Sequence, residues 1–265
     1  MNSHDHRLDE VFRYIVESYV ETAEPVGSRA ISRMYPEHLS PASIRNVMVD
    51  LEEMGLIHQP HTSAGRVPTD KGYRYYVDIL LPRTEPEAIA IPDVSRYFEA
   101  DDIEDGAERL SRLLADLAGN ASILYVRRVK RISFVDRLRE EIQELLDRIS
   151  ENSRLYVDGT SRVVEQPEFR SAERIQGLLR ALETKRELAE ILERDLKAGG
   201  IHVHIGGEVH CGGLSGVSMV VKEYSVDEEP IGCLAVIGPT RMRYERTIGV
   251  VRKLADSITE FLSRE

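Results

Sequence analysis

Ser40-Pro41-Ala42-Ser43-Ile44-Arg45-Asn46-Val47-Met48-Val49-Asp50-Leu51-Glu52-Glu53-Met54-Gly55 is the stretch on which the fold turns. Ser40 is a helix cap, and Pro41 takes the first helical position, where a missing N–H costs nothing. Ile44, Val47, Met48 and Leu51 recur at helical spacing as one apolar stripe, and Gly55 ends the run. With the stripe turned inward, the opposite face presents Ala42, Asn46, Val49 and Glu53, flanked by Ser43 and Arg45. Small, amide and guanidinium side chains near a helix N-terminus suit a major groove. Asn pairs bidentately with adenine and Arg with guanine, while small residues allow close approach or touch a thymine methyl. Ser40 and Ser43 are placed to hydrogen-bond phosphate oxygens beside the unpaired N–H groups of the helix start. The helix pattern alone leaves a protein-binding face equally open.

Working outward, Leu8, Val11, Phe12, Ile15, Val16, Tyr19 and Val20 predict an amphipathic helix over 7–22, stopped at Glu24-Pro25. A second helix is expected over Ser28–Tyr35, with Ser28 as its cap and Pro36 closing it. Three short helices joined by tight turns describe a helix-turn-helix unit. After Gly55, Leu56–Gln59 and Arg66–Thr69 read as two short strands around the turn-rich Pro60-His61-Thr62-Ser63-Ala64-Gly65, a hairpin in the position of a wing. His61, Thr62 and Ser63 offer small donors there, Gly65 flexibility and Arg66 a guanidinium. The loop thus suits either a path along the phosphates or insertion of Arg66 into a narrow minor groove. Ser28 and Arg29 join the candidate DNA-contacting set, and Lys71 and Arg74 could add phosphate contacts. Asp70–Leu81 reads as a further helix. Residues 82–106, with three prolines and eight acids, read as a linker.

The chain has 265 residues, 35 Lys+Arg against 46 Asp+Glu, and a net charge of -11, so bulk charge does not attract it to nucleic acid. Residues 1–82 are themselves acidic, with eight Lys/Arg and twelve Asp/Glu, so any DNA-binding face must be arranged locally. A content of 42% hydrophobic and 31% charged residues supports buried cores and argues against wholesale disorder. No apolar run approaches the ~20 residues of a membrane span, and the polar start MNSHDHRLDE shows no secretory signal. Cys211 and Cys233 make no disulfide framework, so a reducing, cytoplasmic setting is expected.

Downstream, Ala107–Ala118 reads as a helix and Ala121–Val126 as a strand. Phe134–Ser150 reads as a helix whose Val135, Leu138, Ile142, Leu145 and Ile149 form a narrow seam for another helix. Leu155–Val157 follows as a strand, Ala172–Leu196 as one long helix or a helical hairpin. Ile201–Ile205, Ser218–Tyr224 and Ile231–Ile237 read as strands, and Arg246–Leu262 as a closing helix. The expected class is α+β.

No catalytic constellation assembles. His202, His204, His210 and Cys211 cluster without a second ligand pair. Gly206-Gly207 and Gly212-Gly213 match no phosphate-binding fingerprint, and no G-x-S-x-G elbow occurs. Thr240, in Gly238-Pro239-Thr240-Arg241, is expected to cap the last helix. No cofactor, metal or enzymatic activity is expected.

Several blocks together resemble the HrcA family of bacterial heat-inducible transcription repressors. They are Glu24-Pro25-Val26-Gly27-Ser28-Arg29, Leu39 through Asn46, Asp50 through Leu56, and Gln59 through Arg74. The likeness resumes at Leu155-Tyr156-Val157-Asp158-Gly159, Glu165-Gln166-Pro167-Glu168-Phe169 and Ile237 through Tyr244. The resemblance implies a homodimer whose winged helix (1–81) binds double-stranded DNA at CIRCE, an inverted repeat upstream of chaperone operons. It also implies dependence on a GroEL-type chaperonin, and a GAF-like domain (107–265) with a helical dimerisation segment after the linker (82–106). Between Ala121 and Leu155 the chain is shorter than the family pattern, so the GAF-like domain is expected to be abbreviated. A competing reading is a regulator whose GAF-like domain senses a metabolite in an apolar cavity. A third is a winged helix that binds protein.

Overall fold

The computed structural model describes residues 3–35, 39–83, 88–98, 103–127, 153–183, 185–210 and 216–263. The head begins with α1 (Ser3–Thr22), which buries Val11, Phe12, Ile15 and Val16 completely and breaks at Ala23, whose φ of 56° leaves the helical region. Next come α2 (Ser28–Met34) and α3 (Pro41–Glu53). Gly27, not Ser28, is the N-cap of α2, and no side chain caps it; Ser28 is already its first helical residue. The α3 start is built as expected: Ser40 caps it, and Ile44, Val47, Met48 and Leu51 are buried. Gly55 ends it at φ 72°, a left-handed conformation that a side chain would strain.

The wing is the two-stranded antiparallel pair β1 (Ile57–His58) and β2 (Val67–Pro68). Thr69 then caps α4 (Asp70–Tyr75), accepting from the Gly72 amide at 3.0 Å. The helical course continues through a π turn (Tyr76–Leu80) and a 3-10 turn (Leu81–Arg83).

α5 (Ser95–Phe98) lies within the 82–106 stretch, and α6 (Ile103–Ala118) leads from it into the body, which holds β3 (Ala121–Arg127), β4 (Ser153–Asp158), α7 (Thr160–Val164), α8 (Ala172–Glu183) and α9 (Lys185–Ala198). The body continues with β5 (Ile201–Ile205), β6 (Val217–Val226), β7 (Glu229–Pro239) and α10 (Tyr244–Leu262). Of the two readings for 172–196, the helical pair is found, α8 packing on α9. The strands form one antiparallel sheet in the order β4-β3-β7-β6-β5. Alternation along each strand sends Leu124, Val220, Leu234 and Val236 to the α6/α10 side. Ile123, Tyr125, Met219, Val221, Cys233 and Ala235 go to the α7–α9 side. This is the expected α+β class, compatible with a GAF-like body. The seam helix read at Phe134–Ser150 lies outside the described residues. Within the 82–106 stretch, Ile89 and Val94 are buried, and Lys253 Nζ donates to the Ile89 carbonyl at 2.7 Å.

Thr240 does not cap the last helix. Arg243 holds the N-cap position of α10 without a side-chain cap. The Thr240 amide instead donates to the Gly216 carbonyl at 3.2 Å, and its own carbonyl accepts from the Tyr244 hydroxyl at 2.8 Å. A turn closed by Met242 N donating to Pro239 O at 2.9 Å carries the chain past Thr240 before α10 begins.

Head and body share one apolar cluster, from Phe12 and Ile44 through Leu110 to Val251 and Leu254. Polar clasps reinforce it. Arg241 donates to the Glu168 carboxylate, to Gln166 Oε1 at 2.9 Å and to the Val20 carbonyl at 2.9 Å. Arg74 donates to Glu208 and to the Val203 carbonyl at the β5 edge. The Gly207 amide donates to Asp70 Oδ2 at 3.2 Å, and the Tyr73 and Tyr244 rings lie 5.7 Å apart.

Candidate nucleic-acid interface

The candidate interface is built on α3. Its stripe is locked into the head core, Ile44 and Leu51 being wholly inaccessible, so the opposite face has one possible direction, outward. Ser40, Ala42, Ser43, Arg45 and Asn46 are all exposed there, and Val49 is 44% exposed although it is apolar. Ser40 Oγ accepts from the Ser43 amide at 3.1 Å and lies 2.9 Å from Ser43 Oγ, so the two hydroxyls form a coupled pair at the helix start. The α2–α3 connection is closed by Ser32 Oγ donating to the Leu39 carbonyl at 2.6 Å. Among the described residues, nothing covers the Ala42–Val49 face. Arg29 is exposed on α2, while Ser28 is half-buried at its start.

In the wing, His61, Thr62 and Ser63 form an exposed tip. Gln59, not singled out from the sequence, reaches across the loop. Its Nε2 donates to the Thr62 carbonyl at 3.0 Å and the Ala64 carbonyl at 2.9 Å. Gly65 serves close approach rather than flexibility. A Cβ on it would stand 2.4 Å from the carbonyl carbon and oxygen of Val26. Val26 and Arg66 exchange backbone hydrogen bonds, both 2.9 Å, adding a bridge from the α1–α2 connection to the wing.

Arg66 is not at the tip. Its Nε and one Nη donate to Glu52 Oε2 at 3.0 and 2.9 Å, with only 19% of the side chain exposed. Glu52, also missed in the sequence, sits 14 residues away in the last turn of α3, and no local spacing signals such a pair. Lys71 Nζ donates to the Met54 carbonyl at 2.7 Å, at the C-terminal end of α3. Arg74, expected among the phosphate contacts, faces the body. Burial opposes its charge, but hydrogen bonds to Glu208 and Asp78 prevail and raise its pKa above the usual arginine value. Glu208 answers in kind. Burial pushes its carboxyl up, yet Arg74 and the Ile205 amide outweigh that and hold it below the ordinary range.

In the body, His202 Nε2 donates to the Gly199 carbonyl at 2.8 Å, and His204 Nε2 pairs with Asp195 Oδ2 at 2.7 Å. Among the described residues, no three His, Cys, Asp or Glu side chains converge as metal donors. Gly206 carries the Asp70 clasp, because a Cβ there would lie 2.0 Å from Asp70 Oδ2.

The family model described as "HrcA protein C terminal domain" matches residues 94–248. Among curated proteins, the chain is 33% identical to the heat-inducible transcription repressor HrcA of Geobacter sulfurreducens, over 96% of this chain and 97% of that protein. It is 32% identical to the protein of the same name from Symbiobacterium thermophilum, over 97% and 98%. The aligned span of 336 residues in the first case exceeds this chain's 265, so that relative carries residues this chain lacks. A crystal structure titled as that of a hypothetical protein shares the fold, with a TM-score of 0.76 at 22% identity over 100% of this chain and 99% of that one.

Proposed function

The chain belongs to the HrcA family, and we propose that it is a heat-inducible transcription repressor that binds operator DNA through its N-terminal winged helix. The observation that carries the DNA reading is the outward face of α3. Ala42, Ser43, Arg45, Asn46 and Val49 are exposed on a helix whose other side is wholly buried, next to an exposed wing tip. Arg45 and Asn46 supply the bidentate donors and acceptors that base edges require, and Ala42 permits close approach. Ser28, Arg29, Ser40 and the tip residues His61, Thr62 and Ser63 take phosphate oxygens.

One α3 reads one half-site, so an inverted repeat of the CIRCE type calls for a homodimer that meets both half-sites at once. The division of labour is head 1–81, connection 82–106 and body 107–265, with dimerisation assigned to the body. Repression is by occlusion of polymerase in the cytoplasm. A GroEL-type chaperonin maintains the active fraction, and no catalytic step is involved. Heat acts through marginal stability, since a loss of ~1–2 kcal/mol shifts the folded ratio several-fold or more.

The test is a gel shift with an inverted-repeat operator and a random duplex across a salt series, comparing the parent protein with Arg45→Ala. Selective, salt-sensitive binding is expected, with the variant losing ~1–3 kcal/mol of selectivity. An unchanged specificity ratio removes Arg45 from the readout. Equal binding of both duplexes by the parent protein removes the repressor reading.

A further inference from the structure

Arg66 has the residue type and wing position of a DNA ligand, but the geometry gives it other work. Glu52 lies in the last turn of α3, where a carboxylate stands against the negative end of the helix dipole and is disfavoured without a counter-charge. Arg66 supplies that charge, spending Nε and one Nη on the same carboxylate oxygen. The pair is formally neutral, so Arg66 offers an approaching phosphate no net attraction, while Glu52 repels it. The backbone on either side of this pair is fixed as well. Arg66 N donates to Val26 O and Val26 N to Arg66 O, Gly65 is pressed against Val26, and Gln59 holds the carbonyls of Thr62 and Ala64.

We infer that Glu52, Arg66 and Gln59 are positioning residues. They fix the wing at a set angle to the recognition helix before DNA arrives, and the wing contacts DNA through His61, Thr62 and Ser63 instead of the Arg66 guanidinium. The inference rests on the DNA-binding reading above for its functional consequence. Its structural content, a pre-set wing, stands independently. Pre-organisation of this kind acts on affinity by removing the ordering cost of the loop at binding.

A phosphate ligand and a positioning residue respond oppositely when Glu52 is neutralised. If Arg66 binds phosphate, Glu52→Gln frees its charge and tightens binding. If it positions the wing, the same change loosens it. The experiment uses the full chain, an inverted-repeat operator duplex and a random duplex over a salt series. Glu52→Gln, Arg66→Gln, the double variant and the exchanged pair Glu52→Arg/Arg66→Glu are compared. Each single variant is expected to weaken operator binding about 3–10-fold, in keeping with a partly buried surface ion pair, and the double variant no more than the worse single. The exchanged pair should recover most of the loss, with the slope of log K against log salt unchanged throughout. Tighter binding by Glu52→Gln, or a slope shallower by about one contact in Arg66→Gln, would overturn the assignment.

Amide exchange in the free protein decides the same point without DNA. Glu52→Gln should speed exchange at the Val26 and Arg66 amides at least threefold, leaving the Met48 and Leu51 amides of α3 unchanged. An unaltered wing rules out the positioning role. If the parent protein does not prefer the operator, the repressor reading fails, and the exchange result still decides the wing.

Discussion

Replacing Arg241 by Met tests how tightly head and body are joined. Arg241 is 11% exposed and its partner Glu168 17%, so the pair sits where losing one member leaves a poorly solvated charge. Breaking a fully buried pair from one side costs about 3–5 kcal/mol. The residual exposure places this pair at the lower end, near 3 kcal/mol. Glu168 is poorly served even in the native state, since among the described residues its Oε2 has no hydrogen-bond partner while Arg241 holds its Oε1. The other two acceptors, Gln166 Oε1 and the Val20 carbonyl, border a cavity of about 450 Å³, through which water can replace the lost donors; their share is small. Urea unfolding followed by circular dichroism should therefore show a loss of about 3 kcal/mol, and the melting temperature should fall by ~6–12 °C for a chain of this size. The double variant Arg241→Met/Glu168→Leu removes the orphaned charge and should be markedly more stable than Arg241→Met alone. A single-variant loss below about 1 kcal/mol, or a double variant as costly as two independent losses, would refute the claim that this clasp is a desolvated ion pair.

Two further outcomes follow from local chemistry. Burial pushes the Glu17 carboxyl up, and Glu245 and Glu21 push the same way against Arg13. The folded state thus holds this proton more tightly than the unfolded chain, and the residue becomes destabilising as pH rises past the ordinary carboxyl value of 4.5. Glu17→Gln should raise the melting temperature at pH ~7 and change it little at pH ~3.5; an equal gain at both would dismiss the ionisation argument. Ser40→Ala removes the α3 cap and should cost ~1 kcal/mol of stability, most of it recovered by Ser40→Gly. Equal stability of Ser40→Ala and the parent would mean that the Ser43 amide finds water without penalty.

What could be read in the sequence was what is local. Ser40-Pro41 and the Ile44–Leu51 stripe mark α3 because cap, first position and 3.6-residue period lie within one helix. The body strands were legible from short β-branched runs, and β5 matches its expected limits, Ile201–Ile205. What stayed hidden was set by distant partners. Arg66 and Arg74 look alike as surface cations, yet one is claimed by Glu52 and the other by Glu208, 134 residues away. Thr240 looks like a cap because Thr is a good one, but its amide is taken by Gly216. Ile89 and Val94 are apolar points in an otherwise acidic, proline-bearing stretch, and Ile89 lies against α10 at Gly249 and Lys253, which no window around it contains.

Three of the blocks that carry the family likeness outside α3 come together in space. Glu165–Phe169 and Ile237–Tyr244 meet through Arg241 against the end of α1, while Asp70–Arg74 meets Gly206–Glu208 and Tyr244. Both meetings line the seam between head and body, and one apolar cluster runs across it. That seam also holds flaws. Among the described residues, the Tyr73 hydroxyl and one oxygen of Glu168 are buried without a hydrogen-bond partner, and each such atom costs about 1–3 kcal/mol. Glu17 and Glu245 raise the cost further by facing one another as like charges. A seam with large apolar burial and several unsatisfied polar atoms is strong enough to couple head and body but not far from failing. Heating that frees the body therefore removes packing from the head as well, because Phe12, Ile15 and Ile44 share their core with Val251 and Leu254. On the proposed function, this is a physical route by which heat reaches the DNA-binding face without touching any residue on it.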